Sequence, residues 1–282
     1  MREIDVKEIK DVIYKSFSKI EFEYDSYTLN KIKEAHFNSE GRENSVLSLL
    51  IENEETAKNN RIPLCQDTGM AVIVLEVGQE VLFINGDINE AINEGVRNAY
   101  KDNYLRYSVV NDPLFERKNT KDNTPAIIHY EIVKGNKVKI SCLAKGFGSE
   151  NASRLIMLNP SDGIEGIKKE VINLVKEKGA NACPPLTIGI GIGGTMDKCA
   201  FLSKKALLRN NLHNEDERYA KLEDELLNEV NKLNIGPAGL HGKTTCLKVA
   251  IEYYPTHIAG LPLSININCH AVRKNEVILW LN

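Results

Sequence analysis

The first 55 residues of the chain repeat their apolar side chains at the spacing of α-helices. Between positions 6 and 17, valine, isoleucine and phenylalanine recur every three or four residues, and the same interval returns between Leu29 and Leu50. Polar stretches at 24–26 and 38–41 interrupt this interval, as loops do. The sequence therefore predicts three helices at the start of the chain.

The helical pattern stops at residues 61–69, where a proline and a glycine flank Cys65, Gln66 and Asp67. Such a segment is typical of a turn, and the apolar run at 71–77 that follows it is typical of a strand. Apolar runs at 126–132 and 137–144 predict two paired strands around a turn at 134–136. Helical spacing returns at 88–104, 164–178, 196–209 and 216–233, and a last strand region is expected near 257–271.

This mixture predicts the α+β fold class, with mixed, largely antiparallel sheets flanked by helices and a helical N-terminal segment. The antiparallel appearance of the hairpin argues against a doubly wound parallel sheet. Composition does not change along the chain, and no internal repeat or low-complexity linker occurs. We therefore expect residues 1–282 to form a single domain.

Charge and hydropathy exclude several classes of partner. The chain has 282 residues, 42% of them hydrophobic and 27% charged, and a net charge of −3, which is ordinary globular composition. Its basic residues are scattered among acidic ones, so we expect neither nucleic-acid binding nor a polybasic membrane patch. The N-terminal residues carry charges every few positions and do not resemble a secretory signal, and we expect a cytoplasmic protein.

The chain has six cysteines, and no two of them lie at the short spacing of a zinc finger or a bacterial ferredoxin. In the cytoplasm they are expected as thiols or metal ligands rather than as disulfides. Spacing alone predicts no metal site, and any one cysteine is most often a small buried hydrophobic residue.

Two glycine-rich runs resemble nucleotide-binding motifs. Residues 189–194 fit the dinucleotide pattern, although glycines there could equally let the backbone pack beside a bulky group. Residues 236–245 resemble a phosphate-binding loop with one residue too many before Gly242 and Lys243, so nucleotide hydrolysis is not expected. Lys243 and Thr244 remain candidates for binding an anion.

Six segments occur in an order that resembles one known family. They are residues 62–69, 122–126, 145–151, 182–195, 236–245 and 268–271. Together they resemble the N-terminal, or alpha, part of class I fumarate hydratases and L(+)-tartrate dehydratases, from about residue 10 to the end of the chain. The resemblance implies a hydro-lyase that hydrates fumarate to L-malate or dehydrates tartrate.

The resemblance further implies a 4Fe-4S cluster held by Cys65, Cys183 and Cys269. Three thiolates for four irons leave one iron open, and such an iron can bind a substrate hydroxyl and carboxylate as a Lewis acid. Because an open iron is easily oxidised, we expect an oxygen-sensitive enzyme. The other three cysteines lie outside the family's motifs and are expected to be core thiols.

The same resemblance implies a set of substrate-binding residues, namely Gln66, Asp67, Arg106, Gly146 and Gly148. Asp67 is implied as a catalytic acid or base or as an orienting group for the leaving hydroxyl, and Arg106 as the partner of a substrate carboxylate. On the residues alone, Asp67 is more often a turn former and Arg106 a surface charge. Phe147, between the two glycines, departs from the small residue usual in the family and could reshape the pocket wall.

Members of the family carry their remaining catalytic residues on a second domain or on a separate beta chain. This sequence ends at Asn282, soon after Cys269, so we expect a beta subunit to complete the site, in an assembly with two copies of each chain. The expected substrate is a small dicarboxylate. Two other classes stay open at this point: a nucleotide-dependent oxidoreductase that uses residues 189–194, and a non-catalytic scaffold subunit.

Overall fold

The computed structural model describes residues 1–210 and 213–279. Its helices are α1 (Val6–Ile20), α2 (Ser26–Phe37), α3 (Gly41–Asn60), α4 (Ile88–Asp102), α5 (Phe147–Glu150), α6 (Gly163–Lys178), α7 (Met196–Leu208) and α8 (Glu217–Asn231). The first three confirm the predicted helical opening. In the part of the chain that is described, no helix is long and apolar enough to cross a membrane.

The strands form mixed sheets, which confirms the predicted α+β class. They are β1 (Arg2–Asp5), β2 (Met70–Gly78), β3 (Val81–Ile84), β4 (Ile127–Val133), β5 (Val138–Lys145), β6 (Arg154–Leu158), β7 (Leu186–Gly193), β8 (Cys246–Tyr254), β9 (Leu261–Asn268) and β10 (Lys274–Leu279). Short 3-10 turns occur at Pro160–Asp162, Gly179–Ala182 and Pro237–Gly239.

The chain forms two compact units, each assembled from separate stretches of sequence. The first unit comprises Met1–Asp25, Glu54–Phe147 and the segment from Arg273 onward, and the second comprises Ser26–Asn53 and Gly148–Val272. The chain passes from one unit to the other several times. No linker in the sequence marks these crossings. The expectation of a single domain over residues 1–282 stays a prediction.

In the first unit, β2 lies inside a four-stranded sheet of order β10-β5-β2-β4. It runs parallel to β4 and antiparallel to β5, and most of its residues are buried, as expected for a continuous apolar run. The loop with Cys65, Gln66 and Asp67 ends where this strand begins. The central strand of the sheet therefore fixes the position of that loop.

The predicted pairing of β4 with β5 is wrong, because β2 lies between them. The turn at 134–136 crosses the end of β2 instead of closing a hairpin. There the amide of Gly78 donates to the Lys137 carbonyl at 2.8 Å, and the amide of Glu80 donates to the Gly135 carbonyl at 3.0 Å. A Cβ atom at Gly78 would lie 2.4 Å from the Gly135 oxygen, so only glycine permits this crossing.

The sheet of the first unit packs against α1 and α4. The predicted apolar stripe of α1 is buried, from Val6 to Ile20. Both helices begin at an aspartate whose side chain accepts a backbone N–H: Asp5 caps α1 and Asp87 caps α4. Helix α4 places Tyr100 in the core beneath the loop that carries Asp67.

In the second unit, the glycine run at 189–194 lies mainly in β7, a fully buried strand between β9 and β8. A Cβ atom at Gly189 or Gly191 would lie 2.2 Å from a backbone oxygen of α7, that of Ser203 or Cys199 respectively. The glycines therefore allow a helix to pack closely on the strand. This packing accounts for the run without a nucleotide.

Replacing Gly191 by alanine tests this packing. We expect Gly191→Ala to lower the free energy of unfolding by about 3 kcal/mol or more, because the backbone of α7 cannot yield to the added methyl group. Gly260→Ala is the matched control, since a Cβ atom there meets nothing within 4 Å. Urea unfolding of both variants checks the expectation, and equal midpoints would contradict it.

Candidate active site

In the first unit, the loop that carries Cys65 is held at both of its ends. The amide of Leu64 donates to the Glu21 carbonyl at 2.8 Å. The hydroxyl of Thr68 donates to the Arg106 carbonyl at 2.9 Å. These bonds leave Cys65 half-buried between two fixed points of the backbone.

The buried phenol of Tyr100 supports the same loop from below. Burial raises the pKa of Tyr100 well above its usual range, so the hydroxyl keeps its proton. The hydroxyl donates a hydrogen bond to the Thr68 carbonyl at 2.6 Å. Above this buried support, the side chain of Gln66 on the loop is exposed to solvent. The side chain of Arg106, on the neighbouring segment, is exposed as well.

The Asp67 carboxylate accepts a hydrogen bond at each oxygen. Oδ1 accepts the amide of Gly69 at 2.9 Å, and Oδ2 accepts the amide of Phe147 at 2.8 Å. A Cβ atom at Gly146 would lie 3.2 Å from Oδ2, so the absence of a side chain there gives the carboxylate its room. Sequence reasoning expected Gly146 beside a substrate, and the structure shows it beside Asp67.

A buried ion pair lies next to this carboxylate. Arg273 Nη1 donates to Glu21 Oε2 at 2.7 Å, and both side chains are excluded from solvent. Burial raises the pKa of Glu21, whereas the guanidinium of Arg273 acts to lower it, so the ionised carboxylate depends on its partner. Sequence reasoning missed both residues, since neither lies in a recognisable motif.

In the second unit, a backbone hydrogen bond joins the segments that carry two of the predicted cluster ligands. Cys183 follows the turn Gly179–Ala182 and is exposed, and the amide of His270 donates to its carbonyl at 3.1 Å. Cys269, directly before His270, follows the end of β9 and is half-buried. The Cys183 and Cys269 segments are therefore adjacent.

Cys183 has a backbone conformation that non-glycine residues rarely adopt. Its φ is 54°, in the left-handed region, directly after the 3-10 turn Gly179–Ala182. Residues in strained backbone conformations are enriched at functional sites, so the conformation of Cys183 supports a functional role independently of its sequence motif.

The six cysteines form no disulfide with one another, and they divide sharply by burial. Cys65, Cys183 and Cys269 are accessible to solvent, and they are the three that the resemblance selects as ligands. The other three are buried, and burial raises the pKa of each thiol to about 12; they are Cys142, Cys199 and Cys246. Since a cysteine binds a metal as its thiolate, the accessible thiols can serve as ligands and the buried ones are poorly suited to it.

The predicted site residues occur in both units, one set within each. The first unit holds Cys65, Gln66, Asp67, Arg106 and Gly146, and the second holds Gly148, Cys183 and Cys269. A Cβ atom at Gly148 would meet nothing within 4 Å, so close packing does not explain that glycine. Within residues 1–210 and 213–279, no three His, Cys, Asp or Glu side chains form a group that could hold a metal ion. The roles of these residues stay predictions.

The glycine-rich loop before β8 binds an anion from its own chain. The amide of Lys243 donates to Oε2 of Glu43 at 3.0 Å, and the amide of Thr244 donates to Oε1 at 2.7 Å. A Cβ atom at Gly242 would lie 2.7 Å from the carboxyl carbon of Glu43. The backbone amides of the loop thus bind a carboxylate, as the anion-binding hypothesis expected. That carboxylate belongs to a glutamate in the first turn of α3.

Comparison with known proteins agrees with the resemblance. The family described as fumarate hydratase (fumerase) matches residues 10–278. The chain belongs to this family. A chain of Methanocaldococcus jannaschii, provisionally named L(+)-tartrate dehydratase subunit alpha, is 41% identical over 278 residues, covering 94% of this chain and 95% of its own length. The L(+)-tartrate dehydratase subunit alpha of Escherichia coli O157:H7 is 29% identical over 254 residues, covering 89% and 83%. These family relationships span nearly the whole chain.

Thiol labelling tests the division of the cysteines. We expect iodoacetamide at neutral pH to modify Cys65, Cys183 and Cys269 in the native, metal-free chain long before the other three. Buried thiols with a pKa of about 12 are almost wholly protonated and also shielded from the reagent. Peptide mapping by mass spectrometry gives the order of labelling. Modification of Cys142 as fast as Cys183 would contradict the division.

Proposed function

We propose that the protein is the alpha subunit of a 4Fe-4S hydro-lyase that reversibly hydrates fumarate to L-malate. The observation that carries the proposal is the coincidence of two independent selections. The family motifs select three of six cysteines as ligands, and the fold leaves the same three accessible. Membership of the fumarate hydratase family supports the reaction class.

The proposed ligands are Cys65, Cys183 and Cys269. When bound, the cluster supplies an iron without a protein ligand, which polarises a hydroxyl and a carboxylate of the substrate as a Lewis acid. Such an iron would be lost or oxidised in air, and oxygen sensitivity is part of the proposal.

Asp67 is the proposed acid or base. Its two amide donors orient the carboxylate, while each oxygen keeps a lone pair for a substrate proton. The donors belong to the backbone, so the carboxylate cannot rotate freely between substrate and solvent. A fixed carboxylate of this kind can take a proton from carbon or hold one beside a departing hydroxyl.

Substrate binding is proposed for polar groups around Asp67. Arg106 has an exposed guanidinium, whose planar fork suits a carboxylate, and its backbone is fixed by Thr68. Gln66 is exposed on the loop that carries Asp67, and its side-chain amide can donate a hydrogen bond to a substrate oxygen. Gly146 and Gly148 are proposed to let the backbone approach the substrate.

A beta subunit is the proposed partner, and the names of the relatives support it. Both compared relatives are named as alpha subunits, a name that presupposes another kind of chain. We propose an assembly with two copies of each subunit, working in the cytoplasm. Full activity is expected only with the beta chain present, because the family divides its active-site residues between the two parts.

L(+)-tartrate is the second candidate substrate. The names of the relatives favour it, whereas the family description favours fumarate. Both are four-carbon dicarboxylates, and an arginine fork does not distinguish between their carboxylates. Comparing kcat/KM for fumarate, L-malate and L(+)-tartrate in the reconstituted complex decides between them.

Iron and acid-labile sulfide analysis tests the cluster. We expect about four irons and four sulfides per alpha chain after anaerobic reconstitution, and loss of most of both in Cys65→Ser, Cys183→Ser and Cys269→Ser. Cys142→Ala is the control and should keep the full content, because its thiol is buried in the core of the first unit. Wild-type protein that binds no iron would contradict the proposal.

Replacing Asp67 by asparagine tests its role. We expect Asp67→Asn to lower kcat by about 10² to 10⁴, because the amide can neither take the proton nor accept both backbone bonds. Asp112→Asn is a matched control: Asp112 is a turn former that accepts three backbone amides, those of Leu114, Phe115 and Glu116. Steady-state kinetics of the complex should show near wild-type activity for the control. Equal activities of the two variants would leave Asp67 as a turn former only.

A further inference from the structure

The ion pair of Glu21 and Arg273 is almost fully excluded from solvent. The side chains are 0% and 1% exposed, and their charged atoms lie 2.7 Å apart. Two charges lose much of their hydration in such a place, so a buried pair of this kind is weak evidence for a purely stabilising role. Its surroundings show what else it could do.

Each member of the pair contacts a different part of the Asp67 environment. The Glu21 carbonyl accepts the amide of Leu64 at 2.8 Å, at the start of the loop that carries Asp67. The Arg273 carbonyl accepts the amide of Ala144 at 2.9 Å, two residues before Gly146. The side-chain ion pair therefore joins the loop to the turn.

The guanidinium also lies beside the Asp67 carboxylate. The point where a Cβ atom of Gly146 would stand is 3.4 Å from Arg273 Nη2 and 3.2 Å from Asp67 Oδ2. The guanidinium and the carboxylate therefore both border the space that the missing side chain of Gly146 leaves open. A positive charge at this distance attracts the carboxylate and so restrains its position.

We propose that the Glu21–Arg273 ion pair is the positioning element of Asp67. It holds the loop and the Gly146 turn at the separation at which Asp67 accepts the amides of both Gly69 and Phe147. The inference rests on the proposed function of Asp67. Neither member of the pair is a catalytic residue, since both are buried and act through the Asp67 carboxylate.

The second unit offers a matched comparison. There Arg209 and Glu223 form another buried ion pair, with side chains 13% and 1% exposed. Arg209 also donates to the Ile251 carbonyl at 2.9 Å and to Glu252 at 3.3 Å, and none of these partners belongs to the proposed site. A substitution in this pair therefore lowers stability by disturbing a buried ion pair, but it leaves the surroundings of Asp67 unchanged.

The test compares Arg273→Lys with Arg209→Lys in the full-length alpha chain. Lysine keeps the positive charge but lacks the planar fork that reaches both Glu21 and the Gly146 turn. Hydrogen exchange of the Gly69 and Phe147 amides is followed by mass spectrometry or NMR, and kcat and KM are measured in the complex with the beta subunit. Glu21→Gln, which keeps the shape of the side chain, replaces Arg273→Lys if that variant does not fold.

We expect exchange of the Gly69 and Phe147 amides to become about tenfold faster in Arg273→Lys and to stay unchanged in Arg209→Lys. We also expect kcat to fall by about tenfold with KM within a factor of about two, as for a misplaced catalytic group. Exchange equal to that of wild type, or a fall in kcat no larger than that of the control, would overturn the proposal.

The exchange experiment separates this inference from the proposed function. It needs neither cluster nor substrate, so it can be read even if the wild-type complex has no hydro-lyase activity. In that case the proposed function fails, and the exchange of the two amides alone decides whether the ion pair positions Asp67.

Discussion

The buried ion pair of Glu21 and Arg273 joins the beginning and the end of the first unit. Removing one partner of such a pair costs about 3–5 kcal/mol, against a total domain stability of about 5–15 kcal/mol. The Asp67 loop and the Gly146 turn are hydrogen-bonded to the backbones of these two residues. The pairing of β2 with β5 and this electrostatic contact together set their spacing, and the geometry of Asp67 depends on that spacing.

Burial distinguishes the cysteines in a way that their spacing cannot. Cys142, Cys199 and Cys246 lie in regular strands or a helix that pack into the cores, where desolvation disfavours a thiolate. Cys65, Cys183 and Cys269 lie in irregular segments where a sheet or a turn ends. Such segments can present thiolates without the constraints of a regular element. The left-handed backbone of Cys183 shows that the fold holds this residue in an unfavourable conformation.

Local features of the chain were predictable, and contacts distant in sequence were not. Apolar periodicity located the opening helices, and proline with glycine located the loop at Cys65. The β4–β5 hairpin was wrong because pairing of adjacent strands is only the commonest choice, and β2 is apolar enough to take the central position. Arg273 and Glu43 were missed because their partners lie 252 and about 200 residues away, where no local pattern reports them. Within the proposed site, the family motifs located the candidate residues, and only the structure relates Asp67 to its donors.

The central claim is that three accessible thiols hold a cluster with one open iron. A Mössbauer spectrum of the complex, reconstituted anaerobically with iron-57 and recorded before and after adding the dicarboxylate, tests it most directly. The account predicts a cluster in which one iron of the four changes its signal on addition of substrate while the other three keep theirs. A spectrum without a cluster, or one in which no iron responds to the substrate, would contradict it.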